Sequence, residues 1–461
     1  MRILLSIVVA ALLAAAAAWV IAGRMPAPAI TIHQPEKFVG QAGTLDVTVQ
    51  SPAGALSHFE AYIEQQGRRM ALASSTNDAG LQVTQEAGDR IRIRRELGRR
   101  SVPDLRPGEG RITVIAGRDV LYGTRTLEGR ATRDVRLRFD PPRISVASTH
   151  HFVNHGGAEF VVYRVTPADV VSGARVGNAE YRGRPASAAA ALAGAQLADP
   201  ALRVAFFALL HDQDLNTPIS LFARDEAGNS ARADFEHRPF PRNFRRSNIT
   251  LTDAFLERVV PAILERTPDL NPQGSTLDKF LVINRELRRK NSEQIAALAS
   301  QTADAPLFTG PFQQLANSQV EASFADHRTY FYQGKEVDRQ VHLGFDLATT
   351  ANSPIVAANR GKVVFADFLG IYGNTVVIDH GLGLQSLYAH LSSFETAVGQ
   401  TVEKGQSIGR SGMTGLAGGD HLHFTMIVEG RMVSPVEFWD PHWLEDRVLR
   451  KLREAGGAGS M

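Results

Sequence analysis

The chain has 461 residues, 44% hydrophobic and 21% charged, which is apolar mass for roughly three domains rather than one. Its formal net charge of +2 supplies no global field for nucleic acid. With no cysteine present, disulfides, Cys-ligated zinc and thiol nucleophiles are excluded, and His, Asp and Glu remain as metal ligands.

The N-terminal stretch "MRILLSIVVAALLAAAAAWVIAGR" is uncharged from Ile3 to Ala22 and flanked by Arg2 and Arg24. As a helix it is long enough to cross a bilayer core. A cleaved signal peptide has a shorter apolar region, so residues 1–24 read as a membrane anchor first and a signal peptide second; Val20-Ile21-Ala22 and Ala27-Pro28-Ala29 are the cleavage contexts. Either reading exports the remainder.

Residues 30–141 then read as β. "TLDVTVQS" and "GRITVIAG" alternate apolar and polar residues between the turn signals "SPAG" and "RPGEG", and "RDVRLRFDPP" is a strand stopped by two prolines. Within this segment "RIRIRRELGRR" sets Arg90, Arg92 and Arg94 on one strand face. The expected role is a solvated face; a binding role would involve anionic wall polymer or lipid headgroups rather than nucleic acid. Residues 142–240 form a second β unit with "RISVAST", "AEFVVYRV", "LRVAFFALL" and "ISLFARDEAGNSARADF". That last hairpin resembles the closing hairpin of bacterial immunoglobulin-like domains. Strands at this spacing suggest a sandwich for each unit.

From 245 to 304 the period becomes helical, with Leu277, Phe280, Leu281, Ile283 and Leu287 at three- and four-residue steps and Ser275 and Asp278 set as a capping pair. A spacer or packing hairpin is expected here, because no heptad is sustained. Residues 305–442 return to β, and 443–461 read as a C-terminal tail whose end, "REAGGAGSM", is expected to be loose.

The chemistry is concentrated in the 305–442 segment. In "GGDHLHF", His421 and His423 are two apart and project from the same face of a strand. Taken alone they are a metal ligand with its catalytic neighbour, or two solvated residues. Upstream, "VHLGFDLA" brings His342 and Asp346 to one face, and "LYAHLS" adds His390. A catalytic zinc site needs three nitrogen or oxygen ligands and one open position. Five such residues on otherwise apolar, strand-like sequence argue against isolated core histidines.

These segments resemble the lysostaphin/LytM-type zinc metallopeptidases, which cut peptide bonds in bacterial cell walls. "HLGFD", "YAHLS", "GQTVEKGQSIGRSGMTG" and the glycine-rich approach to "HLHF" carry the resemblance, which runs from near Phe324 to near Trp439. It implies that His342, Asp346 and His423 bind one zinc ion and that His390 and His421 are the two unliganded catalytic histidines, either suited to either proton-transfer role. Tyr330 and Tyr332 in "RTYFYQGK" resemble the family's cleft-lining aromatic segment, whereas His380 reads as structural and His327 and His442 have no convergent partners.

The expected protein is therefore mainly β and multidomain: an N-terminal transmembrane or signal helix, two immunoglobulin-like β-sandwich units, a helical linker and a C-terminal antiparallel β peptidase domain. The implied activity is zinc-dependent hydrolysis of peptidoglycan cross-links or stem peptides. The composition leans to a Gram-negative envelope, with an inner-membrane anchor and a periplasmic body, or secretion if the leader is cleaved. The β-sandwich units would meet envelope proteins. The alternative is a latent or non-catalytic wall-binding regulator of other peptidoglycan hydrolases, against which the complete ligand set argues.

Overall fold

The computed structural model describes residues 2–52, 56–76 and 80–457; part of the "SPAG" turn and the last four residues of the tail lie outside the described residues. Strands dominate the chain, which divides into two compact units. One comprises residues 1–142 with 224–230, the other residues 143–223 with 231–461.

The first unit opens with α1 (Arg2–Gly23). Among the described residues it is the one helix long and apolar enough to cross a membrane, over Leu5–Gly23 with mean hydropathy 2.5. Two sheets follow. Four strands run in the order Ala29–Gln34, Thr44–Gln50, Arg90–Glu96, Gln82–Glu86, and five in the order Phe38–Val39, Arg125–Leu137, Gly108–Val120, His58–Gln65, Arg68–Ser74. Alternation sends Leu45, Val47, Val49, Ile91 and Ile93 from one sheet and Ile63, Ile112 and Val114 from the other into one buried core. Each contributes about 1.5–3 kcal/mol by leaving water.

The same alternation turns the arginines of "RIRIRR" outward. Arg92 Nε and Nη2 donate to Asp46 Oδ1 and Oδ2 at 2.9 and 2.8 Å, and Arg94 Nε donates to Oδ2 at 3.1 Å. Arg92 also faces Glu86. Two of the three stripe arginines are thus ion-paired rather than simply solvated.

In the second unit, Arg143–Val146, Ala158–Thr166, Leu202–Ala208 and Arg184–Pro185 make one four-stranded sheet, and Ala179–Arg182, Val171–Val176, Ile219–Arg224 and Ser230–Asp234 another. The first of these sheets shares its core with the C-terminal region: Phe206 meets Phe438 at 6.4 Å between ring centroids. One buried charge pair lies there, each partner offsetting the other's desolvation. Lys451 Nζ donates to Glu159 Oε1 at 3.0 Å and to the Phe160 carbonyl at 2.7 Å. The expectation of a loose "REAGGAGSM" end needs correction over residues 453–457. The chain is helical through Pro441–Leu444, Glu445–Leu449 and Arg450–Gly457. Leu444, Val448 and Leu452, spaced by four, form a buried stripe.

The elements that position the candidate site follow in order: β1 (Arg246–Leu251), α2 (Asp253–Glu265), α3 (Thr276–Val282), a π-helical turn (Ile283–Leu287), α4 (Arg288–Ala297), β2 (Asp326–Tyr332), β3 (Lys335–His342), β4 (Phe345–Ala348), β5 (Leu384–Leu391) and β6 (Leu422–Val428). Thr252 caps α2 by accepting from Phe255 N, and Ser275 with Asp278 closes the expected capping box on α3. β1 pairs parallel to β2, which pairs antiparallel to β3. β4, β6 and β5 are consecutive in the large C-terminal sheet. Helices α2 to α4 bury Leu256, Val260, Ile263, Phe280, Ile283 and Leu287 in a core that also holds Tyr330, Val377 and Leu387. The segment expected to be a spacer or packing hairpin packs, and it also walls the cleft described next.

Candidate active site

Pairing register brings the predicted residues together. His342 ends β3, Gly344 turns the chain, and Asp346 on β4 stands opposite His423 on β6. β6 in turn pairs with β5, setting Ala389 opposite His423 and placing His390 one residue beyond. His342 Nε2 lies 2.9 Å from Asp346 Oδ1 and 2.9 Å from His423 Nδ1, and the latter lies 3.2 Å from the same carboxylate oxygen. All three residues are buried. Gly344 permits this approach, since a Cβ there would sit 2.4 Å from the His423 ring.

Two imidazole nitrogens and one carboxylate oxygen therefore converge, every ligand atom within 4.8 Å of the others. Such a set suits a divalent cation better than a hydrogen-bond network: lone pairs crowd one point, and the His423 Nε2 on the far side of the ring has no partner among the described residues. The donors match those that zinc takes.

Asp346 divides its two oxygens. Oδ1 faces the histidines, while Oδ2 accepts from Arg328 Nη2 at 2.8 Å. Arg328 Nε also reaches Asp326 Oδ2 at 3.3 Å, and Asp326 Oδ1 accepts from Ser247 Oγ at 2.9 Å. Burial raises the Asp346 pKa, but the charge and hydrogen bonds of His342, with bonds from His421 and His423, bring it well below the ordinary carboxylate value.

The other two histidines flank the cluster. His390 Nδ1 donates to the Thr414 carbonyl at 2.8 Å and His421 Nδ1 to that of Gly419 at 2.9 Å. A carbonyl can only accept, so both rings carry their Nδ1 proton; His421 Nε2 lies 3.4 Å from Asp346 Oδ1. The rings lie 4.8 Å apart. Burial, reinforced by His421 and His423, holds the His390 pKa well below its ordinary value. At His421 burial pulls downward too, but Asp346 and the Gly419 carbonyl offset it and the pKa is raised. His390 adopts φ +62°, a left-handed conformation that costs a non-glycine residue roughly 1–3 kcal/mol. Thr414, from the "GQTVEKGQSIGRSGMTG" segment, holds that strained end.

A cleft of about 520 Å³ opens on these residues, lined by all five and by β1, Phe280, Arg288, Arg328, Tyr330 and Tyr372. Tyr330 is among the residues that line the cleft. Tyr332 does not line the cleft: its hydroxyl donates to Asp253 Oδ1 at 2.7 Å. The register shift opposite Tyr330 and Phe331 places its extra residue, Val337, on β3. His380 is structural, buried between the Arg360 carbonyl and Ser386 Oγ, and burial lowers its pKa to about 4. Arg328, Asp326, Tyr372 and β1 were not singled out from sequence. Arg328 and Asp346 are 18 residues apart, on strands of different sheets, so no local spacing announces the pair.

Residues 340–435 match the model of peptidase family M23. This segment is an M23 peptidase domain. It contains His342, Asp346, His390, His421 and His423. The chain is 41% identical over 97 residues to the DD-carboxypeptidase/endopeptidase Mpg of Neisseria meningitidis serogroup B, which is 21% of this chain and 22% of that protein. It is 41% identical over 96 residues to the peptidoglycan DD-endopeptidase ShyA of Vibrio cholerae, again 21% and 22%. It is also 35% identical over 92 residues to the murein hydrolase activator EnvC of Escherichia coli, 20% and 22%. The matched region thus spans less than a quarter of each relative. The M23 match starts at residue 340, so Arg328 and the cleft walls from β1 to β2 lie upstream of it.

Proposed function

We propose that the chain is an exported, zinc-dependent endopeptidase that hydrolyses peptide bonds of peptidoglycan, in cross-links or stem peptides. The observation that carries this reading is the convergence of His342, Asp346 and His423 beside two imidazoles held at Nδ1 by backbone carbonyls, all facing one cleft. Zinc held by those three residues would supply a Lewis acid that polarises a carbonyl and makes hydroxide available near neutral pH.

The protein's own groups do the rest. Arg328 fixes Asp346 through Oδ2 and so orients the oxygen that faces the histidines. One of His390 and His421 takes the proton of the attacking water at Nε2. The other, protonated at Nε2, hydrogen-bonds the carbonyl oxygen as it gains charge, or hands its proton to the leaving amine. The buried walls exclude bulk water and strengthen each of these interactions.

The similarity to Mpg and ShyA supports a D,D-bond, such as one from D-alanine to a diamino acid. Helix α1 supports anchoring in the membrane, with the body in the periplasm, and the domain limits and immunoglobulin-like units expected from sequence belong to the same reading. The similarity to EnvC favours one alternative, a regulator of other hydrolases; the complete donor set favours the enzyme. The test is digestion of purified sacculi by the full chain loaded with zinc, with product masses read. Release of muropeptides with a newly freed D-alanine carboxylate is expected. No release by the zinc-loaded chain would favour the regulator.

A further inference from the structure

Three guanidinium groups line the cleft, and they differ in what they already hold. Arg328 is committed to Asp326 and Asp346. Arg245 is exposed and donates to the Glu321 carbonyl at 2.9 Å. Arg288 is half-buried and has no carboxylate partner among the described residues.

The placement of Arg288 is specific. It follows the π-helical turn, an irregularity often retained for function. Its Nε donates to the Asn284 carbonyl at 3.1 Å and its Nη2 to Asn284 Oδ1 at 2.6 Å. Asn284 is fully buried and donates its own Nδ2 to Asp338 Oδ2 at 2.8 Å. The helix itself is pinned to the wall: Asn291 Oδ1 accepts from Ile371 N at 3.0 Å. The turn beneath needs Gly370, at φ +48°, because a Cβ there would meet Asn291 Oδ1 at 2.4 Å. Tyr372, next along that turn, lies edge-on to His423 at 5.4 Å and lines the same cleft as Arg288. One edge of a rigidly held, uncompensated guanidinium, its Nη1, is therefore left without a hydrogen bond among the described residues, in a cleft that leads to the candidate metal site.

We infer that Arg288 is the cleft's anchor for a free carboxylate of the peptide substrate. A guanidinium matches a carboxylate by charge and by its fork geometry, and a preformed fork loses little freedom on binding. This rests on reading the cleft as a peptide-cleaving site. The carboxylate is the terminal α-carboxylate of a stem peptide or the side carboxylate of one of its residues; the chemistry is the same.

The test uses the zinc-loaded full chain and a synthetic cross-linked dimer whose scissile amide is replaced by an alkene isostere. The dimer is made as the free acid, fully amidated, and amidated only at the terminal or only at the side carboxylates. By calorimetry the free acid should bind about tenfold or more tighter than the fully amidated form, and the singly amidated forms tell which carboxylate is held. Arg288→Gln should erase the preference and Arg288→Lys should keep part of it. Equal binding of acid and amide by the unmutated chain, a preference that survives Arg288→Gln, or no binding of the free acid would each overturn the anchor. Hydrolysis of the corresponding amide dimer reads the peptidase assignment separately. Absence of cleavage with the preference intact refutes the peptidase and leaves the anchor; cleavage without the preference does the reverse.

Discussion

Two aspartates, one in each compact unit, are almost equally buried: Asp46 is 7% exposed and Asp346 8%. Both have lowered pKa values, both accept from arginine, and both sit on antiparallel strands. Their surroundings differ in one respect. Around Asp46 the donors are two guanidiniums that carry their own protons, so both carboxylate oxygens accept hydrogen bonds. Around Asp346 the neighbours are imidazole nitrogens, several of which must present lone pairs, so the cluster calls for a cation. A satisfied network stabilises a fold, whereas an unsatisfied one opening on a cleft marks chemistry.

Removing the cation should give the largest separation. Chelation is expected to abolish hydrolysis of sacculi, with zinc restoring it and magnesium failing, because magnesium prefers oxygen ligands; the strands around Asp46 should keep their hydrogen-exchange protection throughout. Arg328→Met comes next. It leaves Asp346 Oδ2 without its guanidinium, so zinc affinity, read by competition with a chromophoric chelator, should fall about 10–100-fold. Unchanged affinity would make Arg328 a packing residue.

Asp46→Ala is the smaller mirror experiment. It should cost roughly 1–2 kcal/mol of first-unit stability, the partners Arg92 and Arg94 being 35% and 48% exposed and so partly screened. Zinc content and turnover should not move. The smallest effect is that of pH. The folded pKa of Asp46 lies below the unfolded value, chiefly through the Arg92 hydrogen bond. Its stabilisation is therefore present above the unfolded value of about 3.9 and lost as pH falls through the folded one. Denaturant midpoints of the first unit should converge for the unmutated chain and Asp46→Asn in that acid window, and diverge above it.

The comparison also explains what was legible in the sequence. The candidate site could be read because strand geometry makes His421 and His423 share a face, and because the five residues resemble the pattern of a known family. The Ser275–Asp278 cap was legible for the same local reason. What escaped depends on contacts far apart in sequence. Arg328 meets Asp346 across two sheets, the Tyr332 hydroxyl is held by Asp253, 79 residues upstream, and α2 to α4 wall a cleft whose other side lies far downstream. The helical stripe Leu444, Val448 and Leu452 was readable in principle but was masked by the glycines that follow it.

The central claim is that His423 holds the metal while His390 and His421 act on the proton. It is tested most directly by measuring zinc content and sacculus hydrolysis together on three full-length variants. His423→Ala should lose both. His390→Ala and His421→Ala should retain most of the zinc while turnover falls by about a hundredfold or more. Retained turnover in both of the latter, or full zinc content in His423→Ala, would contradict the account.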